Sequence, residues 1–237
     1  MGCALNLVKY LVVVIVSLSY GCVSAIADIT NANPILLYGN HIDFVVYRNG
    51  SKVGYHHVKF SQEDKYLKVD ISCEIKINFL FFNAFHFKYN SEARWAGGIL
   101  EQLQVSVDDD GEKFSMKAVR RDQIVEVESL NGKYSVSGPV FPTNHWHASV
   151  LKQISVLNTL TGRMNNVTIV PQGSELISTE KGQIRAVRYK YNGDLENEVW
   201  YDAEGRWVKM QFKARDGSII DYICRQCQGK NVGNLTP

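Results

Sequence analysis

The chain has 237 residues, of which 45% are hydrophobic and 21% charged, and its 26 basic side chains nearly balance 24 acidic ones. This composition is ordinary for a globular protein that buries a sizeable core. It excludes a charge-driven nucleic-acid partner, because basic residues are scattered among carboxylates and the only tight basic run is Arg120-Arg121.

Residues 1–27 have the layout of a secretory signal peptide. Lys9 precedes an apolar run over residues 10–23, and small residues follow at Ala25 and Ala27. The run is shorter than the roughly 18 residues of a membrane-spanning helix. We therefore expect cleavage after Ala27, or after Ala25 as the alternative, and a protein that is periplasmic or secreted.

Two lipid anchors near the N-terminus are less favoured. Lipoprotein processing at Cys22 would place the bulky Tyr20 where a small residue is wanted. Myristoylation of Gly2 would need Ser or Thr where Asn6 stands. Since no later segment is long enough to span a membrane, we expect a mature protein without a transmembrane segment.

Strict alternation of apolar and polar side chains dominates the first half of the mature chain. It is clearest over residues 66–79 and recurs over 85–95 and 99–107. A period of two predicts strands with one buried and one wet face. The buried face of the first segment comprises Leu67, Val69, Ile71, Cys73, Ile75, Ile77 and Phe79.

Turn dipeptides with glycine separate these runs at short intervals. Asn49-Gly50, Asp110-Gly111 and Asn192-Gly193 are examples, and such pairs supply the positive φ angles of hairpin turns. The pattern predicts an all-β protein with one short helix, an antiparallel meander that forms a strongly curved sheet or incomplete β-barrel. Without a Gly-, Ser- or Pro-rich linker, residues 28–237 read as a single domain with its core over about 40–223.

The segment 143–157 has a helical period instead. Trp146, Val150, Ile154 and Leu157 recur at spacings of three and four residues, and Thr143 or Asn144 can cap the start. The spacing predicts a short amphipathic helix that packs into the concave side of the sheet as a plug.

His145 and His147 flank Trp146 at a spacing that metal sites use on strands, where residues two apart share a face. On a helix, positions two apart point in nearly opposite directions. The predicted helix therefore argues against a shared ion, and the sequence predicts no metal and no cofactor.

The mature chain keeps Cys73, Cys224 and Cys227. Cys224 and Cys227 follow the last predicted strand, where a surface disulfide is the favoured interpretation. Zinc would need further ligands, and redox chemistry would need the pair at a helix start, but both stay open as alternatives. Cys73 lies on the apolar face of a strand and is expected to be an inert buried thiol.

Apolar residues occupy both faces of the chain over residues 77–87, "INFLFFNAFHF". One interpretation is a strand crossing or hairpin tip covered by the plug. The other is the rim of a ligand cavity or a surface that touches lipid. The aromatic residues of this segment that could contact a ligand are Phe79, Phe81, Phe82 and Phe85.

Three motifs resemble the exported bacterial proteins of the domain-of-unknown-function 6134 family. They are "YRNGSKVGYHHVKF", "PTNHWHASVLKQISVLNTLTGRM" and "YNGDLENEVWYDAEGRWVKMQF", in that order, within residues 40–223. The family usually has His-Trp-Asn in the middle motif, so His147 departs from it. The resemblance implies an envelope location and a β-rich fold, and it implies no activity.

The sequence contains no nucleophile elbow, phosphate-binding loop or zinc-protease helix, so no catalytic residue is predicted. We expect an exported β-rich protein that binds or carries a hydrophobic molecule or lipid, with Trp146 and Val150 beside the phenylalanines of the 77–87 segment. The alternatives are an envelope interaction or scaffold protein with a filled core, and a redox or metal protein that uses Cys224 and Cys227.

Overall fold

The computed structural model describes residues 33–79 and 82–228. The helix α1 (Pro34–Tyr38) precedes the strands, and a 3₁₀ turn (Ala148–Lys152) lies between two of them. The strands are β1 (His41–Arg48), β2 (Ser51–Glu63), β3 (Tyr66–Phe79), β4 (Phe82–Ala96), β5 (Ile99–Asp109), β6 (Glu112–Arg121), β7 (Ile124–Ser129), β8 (Gly132–Ser137), β9 (Ser155–Asn158), β10 (Arg163–Thr179), β11 (Gly182–Gly193), β12 (Glu198–Tyr201), β13 (Trp207–Lys213) and β14 (Ile219–Gln226).

All the strands form one sheet in the order β8-β7-β6-β5-β4-β3-β2-β1-β14-β13-β12-β11-β10-β9. Consecutive strands pair antiparallel, except that β8 and β9 lie at opposite ends of the sheet, and β1 pairs with β14 to join the two halves. The turn at Asn49 and Gly50 has φ angles of 46° and 81°, the geometry that matches strand twist in a tight hairpin. The predicted all-β antiparallel meander is confirmed.

The sheet curls into a barrel that no ladder closes among the described residues. Its two ends instead meet through side chains. The Tyr134 hydroxyl on β8 donates to the Gly162 carbonyl at 2.9 Å, and the Asn131 amide donates to the Thr161 carbonyl at 2.6 Å. Glycine is needed at position 162, because a Cβ there would lie 2.7 Å from the Ser129 side chain. The barrel is therefore incomplete, as predicted.

The predicted helix over 143–157 is wrong. The segment enters the barrel as an extended loop, with Pro142 bridged in parallel to Leu157, and only the 3₁₀ turn is helical. His145 has a φ of 46°, which a right-handed helix does not permit. Ile154, predicted to complete the apolar stripe, is 83% exposed.

Trp146 nevertheless lies in the core, as a plug residue should. Its ring packs edge-on against Phe60 at 5.4 Å and Trp95 at 5.2 Å between ring centroids. Both partners come from the inner face of the meander and are buried. A buried loop anchored by one tryptophan thus replaces the predicted helix as the plug.

Candidate functional site

Two tyrosine hydroxyls, of Tyr38 at the end of α1 and of Tyr201 on β12, hold the plug. Tyr38 donates to the Trp146 carbonyl at 2.9 Å and accepts the Trp207 backbone N–H at 2.8 Å. Tyr201 donates to the His145 carbonyl at 2.6 Å. A buried loop carries backbone groups that must find partners, and these hydroxyls supply them. The plug is therefore an integral part of the barrel.

The predicted ligand contacts at Trp146 and Val150 are filled core positions. Both residues are buried, and the space they line together with Trp95 and Phe141 has no room for a water molecule. A hydrophobic ligand could reach them only if the plug left the barrel.

Phe79, Phe82 and Phe85 lie at the end of the barrel away from the plug. Phe79 pairs with Phe82 in the backbone register where β3 and β4 meet, and Phe81 lies outside the described residues. Phe85 pairs with Ile77 and is half-buried against the core. It lies ten residues from the tryptophan of β4 that packs on the plug, or roughly 33 Å along the strand. The candidate residues therefore do not converge on one site.

The two plug histidines face different surroundings. His145 is buried, with Nδ1 3.5 Å from the Tyr191 hydroxyl and Nε2 3.5 Å from the Asn197 side-chain amide. His147 instead packs against Phe141, and its Nδ1 accepts the Ser149 N–H that begins the 3₁₀ turn. Burial lowers the pKa of each histidine to about 4. Within the described residues no group of three or more histidine, cysteine or acidic side chains is arranged to hold a metal.

A third histidine, His56 on β2, was missed by the sequence reasoning. It stands on the inner face with its two ring nitrogens buried and without hydrogen-bond partners, among Phe44, Trp207 and Tyr222. Burial, aided by the nearby His145, lowers its pKa to about 3. Neighbouring residues of a strand face opposite sides of the sheet. One of the two consecutive histidines of β2 therefore had to face the core, and a buried histidine could have been predicted there.

Cys224 and Cys227 are joined by a disulfide with their Cα atoms 5.8 Å apart. The bridge is buried, with the two residues 5% and 1% exposed, so its predicted surface position is wrong. The Cys227 sulfur lies beside β1, 3.8 Å from the Asp43 carbonyl. Cys73 is a free buried thiol 3.6 Å from the Tyr222 hydroxyl, and burial raises its pKa to about 12.

An open groove of about 1310 Å³ crosses the outer face of β1 to β7. In the sequence these positions were interpreted only as the wet face of the sheet.

Strand register aligns the groove residues in two rows. The short-residue row consists of Asp43, His57, Ser72, Asn90, Ser106 and Ser115. The charged row is formed by His41, Lys59, Asp70, Glu92, Gln104, Lys117 and Glu128.

Charges in the groove are unevenly compensated. The Lys68 ammonium lies 3.1 Å from Glu92, 3.6 Å from Asp70 and 3.9 Å from Glu63, so one cation is shared by three carboxylates. By contrast, no ion pair reaches Lys59 or Lys117 within the part of the chain that the structure describes, and both are exposed. Among the described residues, the groove lining therefore carries four carboxylates, Asp43, Asp70, Glu92 and Glu128, against the two lysines.

The fold and this surface define a class of protein: an open antiparallel β-barrel with a plug loop inside and a polar groove outside. The chain belongs to the family described as "Domain of unknown function (DUF6134)", whose model matches residues 44–225. The family predicted from the sequence is thereby confirmed.

A solved structure shares the fold. It is the beta-barrel-like protein of the domain of unknown function DUF1849 from Brucella abortus, with a TM-score of 0.55 and 11% sequence identity over 81% of this chain and 96% of that one. No curated protein matches the sequence. Among the described residues, no helix has the length and apolar character needed to cross a bilayer.

Proposed function

We propose that this chain is an exported, non-catalytic binding protein that holds its ligand in the groove on the outer face of β1 to β7. The observation that carries the proposal is the contrast between the two faces of the sheet. The inner face is occupied by the plug, with no room for water beneath Trp146. The outer face has a groove of about 1310 Å³, larger than the usual site for a small molecule.

Export is supported by the signal-like N-terminal segment and by the disulfide. Disulfides persist in oxidising compartments and are rare in a reducing cytosol. The bridge between Cys224 and Cys227 is therefore expected to form after transport.

The proposal is tested by filling the groove. Ser106 is an exposed groove residue, and Ser135 on β8 is an exposed serine outside the groove. Purified wild type, Ser106→Trp and Ser135→Trp are immobilised and incubated with the saccharide and peptide fractions of an envelope extract. Wild type and Ser135→Trp should retain the same material, and Ser106→Trp should lose most of it. Equal retention by all three proteins, or none by wild type, would contradict a groove ligand.

A second candidate keeps the hydrophobic ligand at the opposite end of the barrel from the plug. The inner-face residues Ile77, Phe85 and Phe87 stay half-buried there, although their neighbours along the same strands are fully buried. Lipid extraction and native mass spectrometry of protein purified from the envelope test this candidate. Ligand-free protein that also fails to brighten a hydrophobic dye would remove it.

A further inference from the structure

Buried polar groups without partners cluster where the plug meets the barrel wall. They are both ring nitrogens of His56, the indole nitrogen of Trp95, the side-chain nitrogen of Asn144 and the side-chain oxygen of Asn197. The Trp95 ring contacts the plug at Trp146. The Asn197 amide lies 3.5 Å from the His145 ring. These groups oppose burial of the plug, because water would satisfy them once it left.

The tip of the plug, His145 and Trp146, adopts an uncommon conformation. His145 has a φ of 46°, in the left-handed region that residues other than glycine seldom occupy. Its ring nitrogens find their nearest partners only at 3.5 Å, the long limit of a hydrogen bond. The backbone of the tip is bound to the wall by the hydroxyl groups of Tyr38 and Tyr201. These two bonds, rather than the ring of His145, hold the tip in place.

Protons can act on this contact through three imidazoles, of His56 on the wall and of His145 and His147 on the plug. Protonation of His147 at Nδ1 would remove the acceptor of the Ser149 N–H that begins the 3₁₀ turn. When charged, His56 and His145 repel each other, and His57 on the outer face adds to the repulsion.

The surroundings of the three imidazoles cannot compensate an added positive charge. His147 is packed by rings that do not titrate, those of Trp95, Phe141 and Trp146. The titratable groups that face the other two are neutral in acid: Cys73 on β3, Tyr191 on β11, Tyr201 on β12 and Tyr222 on β14. In the part of the chain that the structure describes, no carboxylate contacts any of the three imidazoles.

Release of the plug exposes the same imidazoles as unfolding of the whole chain, so acid favours both reactions by the same factor. With a pKa of about 4 inside the barrel and 6.5 when released, His145 alone raises the release equilibrium about 20-fold between pH 7 and pH 5. Release breaks the two tyrosine bonds and the pairing of Thr143 with Leu157, but it keeps the strand ladders. It therefore costs less than unfolding, as local openings do.

We propose that the plug is an acid-released lid, which closes the aromatic interior of the barrel at neutral pH and leaves it, with the sheet intact, as the pH falls. Release uncovers the rings of Phe60 and Trp95, against which Trp146 packs, and opens the interior to an apolar molecule that the neutral protein excludes. The inference concerns the inside of the barrel and goes beyond the proposed function, which concerns the outer groove.

Hydrogen exchange followed by mass spectrometry, on the purified protein at pH 7 and pH 5, measures the release. The N–H groups of Thr143 and Leu157 pair the plug with β9, and the N–H groups of β3 report on the sheet. After correction for the intrinsic rate at each pH, the plug amides should be less protected than those of β3 at both pH values. Their protection should fall at least 20-fold on acidification. Nile red, a neutral hydrophobic dye, should brighten at pH 5 while β3 stays protected.

Variants assign the effect to the imidazoles. His145→Asn keeps a residue that tolerates a positive φ, and its plug protection should fall about 20-fold less than that of wild type. His56→Leu should reduce the fall by a similar factor. His41→Asn, on the outer face with a side chain 44% exposed, should retain the wild-type fall.

Three results would overturn the inference. The first is plug amides as well protected as those of β3, which would mean that the plug leaves only when the barrel unfolds. The second is a dye signal that appears only after β3 has lost its protection. The third is the same fall in plug protection in wild type, His145→Asn and His56→Leu.

Discussion

Acidification is expected to destabilise this protein, because three imidazoles are buried in neutral form. Burial holds the pKa of His56 at about 3, and those of His145 and His147 at about 4, against an ordinary value of 6.5. A lowered pKa in the folded state means that the unfolded chain binds the proton first. Stability that is present above pH 6.5 is therefore lost as the pH falls, and the loss levels off only near pH 3 to 4.

The magnitude follows from proton linkage. With a pKa of about 3 when folded and 6.5 when unfolded, His56 alone lowers the free energy of unfolding by about 2 kcal/mol between pH 7 and pH 5. The two plug histidines each add a similar amount, because with a pKa of about 4 both stay mostly neutral in the folded protein at pH 5. The sum is a large part of the roughly 5–15 kcal/mol that stabilises an ordinary domain.

The assay compares urea unfolding at pH 7 and pH 5, followed by tryptophan fluorescence, in wild type and His56→Leu. Leucine is close to histidine in volume and removes two buried nitrogens that lack partners. The loss of stability between the two pH values should be about 2 kcal/mol smaller in the variant. Phe44→Leu, which alters the same packing without removing an imidazole, should retain the wild-type loss. An equal loss of stability between pH 7 and pH 5 in wild type and His56→Leu would refute the assignment of this loss to His56.

Further outcomes follow from the plug and the core. Tyr38→Phe should lower the free energy of unfolding in urea by about 2–4 kcal/mol, because it leaves the Trp146 carbonyl and the Trp207 N–H buried without partners. A loss below about 0.5 kcal/mol, the usual range for surface changes, would mean that water replaces the hydroxyl. Burial raises the pKa of the Cys73 thiol, so this cysteine should resist a thiol reagent in the folded protein and react on unfolding. Fast labelling of the native protein would contradict its burial. Gly54→Ala should lower the melting temperature, because the new Cβ would clash with a backbone carbonyl of β3, and an unchanged melting temperature would show that the strands can separate there.

The sequence was sufficient to predict the sheet but not the plug. The alternation of apolar and polar residues over 66–79 reflects a local property, the two-residue period of a strand. The strand predicted from it therefore matches β3. The four-residue spacing of Trp146 and Val150 suggested a helix, yet both are buried by a loop that crosses the barrel. The bonds that stabilise this loop come from distant residues such as Tyr38 and Tyr201, which no local pattern connects to it.

The groove could not be predicted from the sequence, for a different reason. Ser72, Asn90 and Ser106 each appear as one polar residue in an alternating strand, which is what any solvated face contains. They become a row only when the register of β3, β4 and β5 is known. Register depends on turn geometry and on bulges, including one between Arg94 and Trp95.

The inner face of the sheet therefore stabilises the fold, and the outer face is the one proposed to bind the ligand. Inner-face residues such as Val58 and Ile71 are buried, and their truncation would lose packing throughout the core. Lys59 and Lys117 are exposed and outside any ion pair among the described residues, so their replacement should change the free energy of unfolding by less than about 0.5 kcal/mol. Lost binding in these variants can then be attributed to the groove, because the barrel that carries it remains folded. If the lysine variants unfolded more easily, the lysines would stabilise the barrel itself, and the separation of faces would be wrong.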